Sequence, residues 1–532
     1  MKQEVDKKTV TRKQALSALF DSFVLVWLVI LAGVALRLFA FNYTYVINPD
    51  GVHYIHQARA IYYGDWKSIF SCGVSYLSNF PLFIALFYKV AGDWVFAAKS
   101  VSLLFGSLLL VPLYLLFRRF FDKPVSLLGT LVFALIPNHV DKSADVLRGP
   151  VAWFFLVCGM YFFVLQSSKR SRLCLVISSI SFLMAAWARV EFALFFIISF
   201  LFIIFSGQKG KAGKLLSFGL PAIALALIFF LGSQVLKVPT SSFSRGTEIV
   251  SRVSSPALQY KNLRSQLGKL ASGQQGDLLS FFLPEARKNA WLVGLGTLLG
   301  RALAAFFYPY FLVFLIGLAG LKQKLRQDRR VVYFTLLCVF SLLLLYLQTL
   351  ETWILHNRFM AMVIFPGFLF FGFGLEKLLR LFENRLRWKK PVAVFVLLVL
   401  ILASGLPKNL KPREDDKVLF KKIGTLVAER EDNRHVAEIA GISSPVLQWI
   451  NFYANLKYPG APCPRTPGYL AEDYSRLLAN IKQKKTRYFL WEERTWKTTG
   501  FDLMSSRVYQ NLRILGKWRH PDTGNIVLFE VK

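Results

Sequence analysis

Between Val24 and Leu406 the chain is a succession of apolar runs separated by short polar segments. A helix needs roughly 20 apolar residues to cross a hydrocarbon core. On that measure the runs near 20–41, 94–117, 124–139, 149–166, 173–188, 191–207, 215–236, 291–320, 331–350, 358–376 and 391–406 predict about eleven membrane-spanning helices. Ser78–Val90 is also apolar but short, and it carries Pro81, which predicts a re-entrant or interfacial helix. After Lys408 the pattern becomes that of a mixed soluble domain. Helices are expected near 414–430, 444–455 and 470–484, strands at 435–440 (HVAEIA) and 487–492 (RYFLWE), and a terminal hairpin turning at 520–525. The expected architecture is an all-α polytopic membrane bundle, residues 1–406 with outer loops 42–93 and 237–290, followed by a small α/β domain, residues 407–532.

Composition agrees, with 55% hydrophobic residues, 15% aromatic residues and a mean hydropathy of +0.44. The net charge of +34 invites a nucleic-acid reading, but its distribution argues against one. Lys and Arg gather in short loops: Lys7, Lys8, Arg12 and Lys13; Arg118, Arg119 and Lys123; Lys169, Arg170 and Arg172; Lys209, Lys211 and Lys214; Lys322 to Arg330; and Arg385 to Lys390. All fall on one side of the predicted bundle, which the positive-inside rule makes cytoplasmic. An odd number of spans then puts the C-terminal domain outside, in keeping with an integral protein of a bacterial plasma membrane. The basic residues of 237–290 fall outside too, in a loop long enough to constrain topology less. The charged N-terminal stretch is longer than a signal peptide's and is followed by no small-residue cleavage site, so the first helix is read as retained. Cys158, Cys174 and Cys338 lie in apolar runs, and no CxxC or metal spacing occurs. Cys72 and Cys463 both fall outside, a weak hint of a disulfide.

Chemistry concentrates in the outer segments. In NPDGVHYIHQARAIYYGDW (48–66), a helix would set Asp50, His53 and Gln57 on one face and Val52, Ile55, Tyr62 and Trp66 on the other, as suits a helix lying on a membrane surface. Asp50 follows Pro49 and also reads as an N-cap. The second outer loop gathers His139, Asp141, Asp145 and Arg148 between two spans. Arg189 with Glu191, and Glu351, His356 and Arg358, stand at outer ends of further spans, where ionisable groups face a cavity or one another. The Arg358 guanidinium suits a phosphate, and snorkelling to the headgroups is the alternative.

The order of these parts resembles GT-C glycosyltransferases of the protein O-mannosyltransferase and aminoarabinose transferase group: a PDGxxY helix ending in GDW, then FPLFIALFYKV, a DVLRGP loop and an NRF…P stretch. The resemblance implies transfer of a sugar from a polyprenyl-phosphate carrier to an acceptor at the outer membrane face. It implies that Asp50 is the general base, that Asp145 or Asp141 is a second catalytic acid, and that Arg358, followed by Phe359 and Pro366, binds the donor phosphate. Arg148, Arg189, His53, Tyr54 and His356 complete the candidate substrate-binding set. Two positions depart from the family pattern: Gly51 stands where many relatives have a second acid, and Gly149 where many have an acid after the arginine. No metal ligands are assigned; arginines can supply the positive charge, although some of these enzymes use a divalent cation. Partners are the lipid-linked sugar, membrane lipids and an acceptor of unspecified kind, with no nucleic acid. The competing readings are a lipid-linked polysaccharide polymerase or ligase, and a non-enzymatic lipid-linked glycan transporter or flippase. Charges at the outer ends of spans, rather than at the midplane, favour chemistry over transport.

The topology is open to labelling. A cysteine replacing Lys484 is expected to react with an impermeant maleimide in intact cells; protection until lysis would invert the orientation.

Overall fold

Among the residues that the computed structural model describes (23–169, 171–205, 210–244, 246–273, 277–411, 415–442, 444–463, 474–483, 486–496, 503–504 and 512–531), seven helices are long and apolar enough to cross a bilayer: Val24–Asn42, Trp94–Phe117, Gly149–Ser167, Lys211–Leu236, Leu278–Phe306, Arg329–Thr352 and Lys390–Asn409. Two bent pairs qualify together, Lys123–Leu135 with Pro137–Ala144 at 57° and Asn357–Ile364 with Phe368–Asn384 at 69°. Pro137 and Pro366 stand at the breaks, where a missing N–H and a ring clash interrupt the helical ladder. Four shorter apolar helices, Asn79–Ala91, Arg172–Ala188, Val190–Phe205 and Tyr308–Leu318, complete the set. The polytopic helical architecture is therefore as the apolar pattern predicts, but two segments differ. The run expected as one span over 291–320 is broken at Phe307, at φ 68°, just ahead of Pro309 in the next helix. The expected outer loop 237–290 is largely helical, through Gly246–Gly273 and the start of Asp277–Phe306. Lys7, Lys8, Arg12, Lys13, Arg170 and Lys209 of the basic loops, and residues 470–473 of an expected helix, lie outside the described residues.

The chain divides into two compact units, 1–41 with 102–144 and 148–411, and 42–101 with 145–147 and 412–532. The first is the membrane bundle. Its helices Tyr308–Leu318 and Phe368–Asn384 cross at backbone contact: a Cβ on Gly317 would lie 1.8 Å from the Phe370 carbonyl oxygen, and one on Gly374 2.0 Å from that of Val313. The break after Leu135 frees carbonyls in an apolar setting, and two buried side chains take them up. Arg37 donates to the Ala134 oxygen at 3.3 Å, and Asn409 Nδ2 to the Leu135 oxygen at 2.9 Å.

The second unit is built on a four-stranded sheet in the order β1-β2-β4-β3, with β1 (Ile439–Ala440) parallel to β2 (Tyr488–Glu492), and β4 (Gly524–Val531) antiparallel to both β2 and β3 (Leu512–His520). The hairpin turns where the sequence predicts. Phe489, Trp491, Trp496, Val527 and Phe529 form its buried core. The strand expected over 435–440 pairs only at its end, because two asparagines of helix Pro445–Ala454 occupy its backbone. Asn455 bonds both the N–H and the carbonyl of Ala437, and Asn451 both of Ile439. By contact, residues 42–101 and 145–147 group with 412–532 in this unit. The reason is bonding: Trp449 Nε1 donates to the Ile47 carbonyl at 2.8 Å, the Tyr453 hydroxyl accepts from Ile47 N at 3.3 Å, and a disulfide joins Cys72 to Cys463.

The helix crossing in the bundle gives a matched test. Gly374→Ala is expected to lower the thermal midpoint of the detergent-solubilised protein, since overpacking costs about 1–3 kcal/mol. Gly296→Ala, where nothing lies within 4 Å of the added methyl, is expected to leave it unchanged or raise it.

Candidate functional site

The sequence-predicted site residues separate between the two units. In the second unit the segment 48–66 contains the predicted helix, Pro49–Tyr62. Its N-cap is Asn48, whose side chain accepts from Asp50 N at 3.0 Å. Asp50 is therefore not the cap but the second residue of the helix behind Pro49, its carboxylate in the first turn where the helix dipole favours negative charge. Asp145 Oδ1 accepts from Asn48 N at 2.8 Å and from Val146 N at 2.7 Å, which pins the start of this helix to the DVL segment. Gly51 explains its own departure from the family pattern: a Cβ there would meet the Val146 side chain at 2.8 Å, so a second acid at that position has no room.

The remaining helix residues divide differently from the surface-helix expectation. Gln57 is fully buried and donates to the carbonyls of Ile69 and Tyr76, so it holds the following loop. Tyr54 is buried, edge-on to Phe80. His53 is half-buried, and burial holds its ring below the usual histidine range, against the opposing pull of Asp50. The polar cavity face runs through His53, His56 and Arg59 with Val52 among them, so Val52 lies on the face opposite to that expected. The wheel separates two faces, but it cannot say that helix Pro445–Ala454 of the C-terminal residues covers one of them.

The arginines belong to the first unit. Arg189 is buried between helices Arg172–Ala188 and Ala193–Phe205, with its Nε 2.6 Å from Glu191 Oε1 and its guanidinium 4.7 Å above the Phe359 ring. The Arg358 guanidinium lies 5.7 Å from the centre of the same Phe359 ring, and Arg148 and Arg358 both act electrostatically on Arg189. Arg358 sits in the turn Asn357–Met360, which opens the second bent pair. Asn138 Nδ2 donates to the Asn357 carbonyl at 3.4 Å, joining this turn to the helix that carries Asp141. His356 is exposed at the N-terminal edge of the turn. His139 is buried, its ring stacked on Phe365 at 4.9 Å.

Sequence reading missed His56 and Arg59, whose partners lie some 400 positions away in the chain. It also missed Asp416, His520 and Asp522, whose ligand-type atoms lie within 4.8 Å of one another in the C-terminal residues. That donor set of two carboxylates and an imidazole is compatible with a divalent cation. His520 Nδ1 accepts the Asp522 N–H at 3.2 Å, and Nε2 lies 3.1 Å from Asp416 Oδ2.

Residues 79–233 match the family model described as dolichyl-phosphate-mannose-protein mannosyltransferase. No curated protein sequence matches the chain. Among solved structures it is similar to the Archaeoglobus fulgidus oligosaccharyltransferase in complex with zinc and sulfate, at 14% identity and a TM-score of 0.56, over 95% of this chain and 72% of that one. Another structure of that archaeal enzyme, with an inhibitory peptide and a dolichol-phosphate, gives 13% identity and a TM-score of 0.54 over 93% and 74%. ArnT from Cupriavidus metallidurans bound to undecaprenyl phosphate gives 12% identity and a TM-score of 0.58 over 95% and 97%. The chain shares its overall fold with these polytopic membrane transferases.

Proposed function

We propose that this protein is an integral membrane glycosyltransferase that moves a sugar, hexosyl or pentosyl, from a polyprenyl-phosphate carrier to an acceptor hydroxyl on the extracytoplasmic side. What supports the reading most is the gathering of Arg148, Arg189 and Arg358 in the membrane unit. Arg189 is paired with Glu191, and the charge and bidentate geometry of a phosphate suit guanidiniums placed beside that pair. The family-model match over 79–233 and the fold shared with transferases solved with polyprenyl phosphates point the same way.

In the proposed step Asp50 takes the proton from the acceptor hydroxyl, the acceptor oxygen bonds to the anomeric carbon, and the bond from that carbon to the phosphate oxygen breaks. The electron pair leaves on the polyprenyl phosphate, where the arginines stabilise it. Asp145 is assigned to positioning: it fixes Asn48, which caps the helix carrying Asp50, and it lies three residues from Arg148 in the sequence. No step is routed through a metal ion. The Cys72–Cys463 disulfide supports an extracytoplasmic second unit, because such bonds persist in oxidising compartments.

Because Asn48 caps the helix, Asp50→Asn leaves that cap intact and isolates the carboxylate's chemistry. A positioned general base contributes on the order of 10² to 10⁴ in rate, so Asp50→Asn is expected to lose about that much turnover with polyprenyl-phosphate binding retained. Turnover equal to wild type would remove Asp50 from catalysis and point to Asp141.

A further inference from the structure

Helix Pro49–Tyr62 walls a cavity of about 520 Å³ whose lining lies wholly within the second unit: His53, His56 and Arg59 on one side, Gln448 and Phe452 of helix Pro445–Ala454 on another, and the Cys72–Cys463 disulfide closing it. Two features of this lining concern charge. Arg59 is 3% exposed and makes no ion pair with a carboxylate among the described residues. It donates instead to three carbonyls of the segment leading to the disulfide, those of Asn455 at 3.1 Å, Gly460 at 2.7 Å and Tyr458. Neutral carbonyls orient the guanidinium without cancelling its charge, and burial lowers its pKa only to about 10, so it stays a cation at neutral pH.

The second feature is His56. Its Nδ1 lies 3.2 Å from the Pro462 carbonyl, and its Nε2 lies 2.8 Å from the Ser68 carbonyl and 3.2 Å from the Ser71 hydroxyl. That hydroxyl already donates to the Ser68 carbonyl, so toward the ring it is an acceptor. Acceptors therefore face both ring nitrogens, and a neutral imidazole has one N–H. Only the doubly protonated ring satisfies the site. Burial works the other way and pushes its pKa below the usual value, helped by Arg59 and His53, while the two carbonyl bonds oppose the shift. Those are the charged and titratable groups acting on it. The 68–73 turn, the segment ending at Cys463 and the Pro445–Ala454 face of the cavity present carbonyls, hydroxyls, amides and an aromatic ring, and there is no carboxylate among the described lining residues.

Among the described residues, the cavity holds one uncancelled cation and one histidine arranged for protonation, with no negative charge beside them. We propose that it binds an anionic group of the phosphate class between Arg59 and His56, and that His56 takes up a proton from solvent as the anion enters. The ligand supplies the countercharge that stabilises the imidazolium, whose two N–H groups then reach Pro462 and Ser68. The site is built from residues of the second unit alone and does not depend on the transfer reaction. A phosphorylated small molecule and a lipid phosphate headgroup share the required chemistry.

The probe is radiolabelled sulfate, a dianion that does not titrate over the range used, equilibrated with the full-length protein in detergent at constant ionic strength. The Arg358→Ala background keeps anions bound at the membrane-unit arginines from being counted. Saturable binding is expected, with Kd tightening as pH falls, by up to about tenfold per unit for one linked proton, because the anion-bound ring has the higher pKa. His56→Gln is expected to bind with no such dependence, and Arg59→Gln at least tenfold more weakly. If Arg59→Gln does not fold, Arg59→Lys replaces it, keeping the charge but losing the fork, with an expected severalfold loss. Displacement of sulfate by glycerol 3-phosphate assigns the site to soluble phosphates, and displacement by dihexanoyl phosphatidic acid alone assigns it to a lipid headgroup. Absent or pH-independent binding in the protein with His56 intact, wild-type affinity in the Arg59 variant, or displacement by neither compound would overturn the proposal.

Discussion

A hydrocarbon slab offers no water to a peptide group, so a helix broken inside it must have its freed carbonyls met from elsewhere. The membrane unit depends on that constraint at the break after Leu135, where Arg37 and Asn409, from the first and last of its long helices, reach the Ala134 and Leu135 oxygens. With the break satisfied, the short helix Pro137–Ala144 can turn 57° away and carry Asp141 out of the span's direction. The second broken span does the same for Arg358 in the turn Asn357–Met360, and the Asn138 bond to the Asn357 carbonyl ties the two departures together. Candidate chemistry sits where regular helix is interrupted, and the buried polar residues behind it make the interruption tolerable.

The second unit solves a different problem, that of giving a short amphipathic helix a fixed register. Asn48 caps it, Asp145 holds the cap from the DVL segment, Gly51 admits Val146 at close range, and Gln57 anchors the loop that follows. Partners from the C-terminal residues then cover the opposite flank, through Arg59, His56 and the disulfide. The carboxylate of Asp50 is thus presented by a helix whose start, packing and far end are each determined by a separate contact.

Much of this was legible in the sequence, and the exceptions have physical causes. Apolar runs located most spans because length and hydropathy are local properties. The broken run at Phe307 carried its signal in Pro309, but the apolar residues continuing on both sides concealed the break. Helix Gly246–Gly273 was invisible as a span because it is too polar to be one. Asp50 was read as the cap from its place after Pro49, but proline at the first helical position puts the cap one residue earlier, at Asn48. The arginines were found individually from their places at span ends. His56, Arg59 and the extent of the disulfide-closed cavity were not, since each depends on residues some 400 positions distant, beyond any periodicity.

The account rests on the arginine cluster as the seat of the donor phosphate, and Arg358 is the member that the break in its span sets at the head of a turn. Equilibrium binding of a polyprenyl phosphate to the purified protein, compared between wild type and Arg358→Ala, tests this most directly. Charge-assisted hydrogen bonds of this kind contribute about 1.5–3 kcal/mol, so the account predicts roughly 10- to 100-fold weaker binding by the variant. Equal affinity in a variant of unchanged thermal midpoint would contradict it.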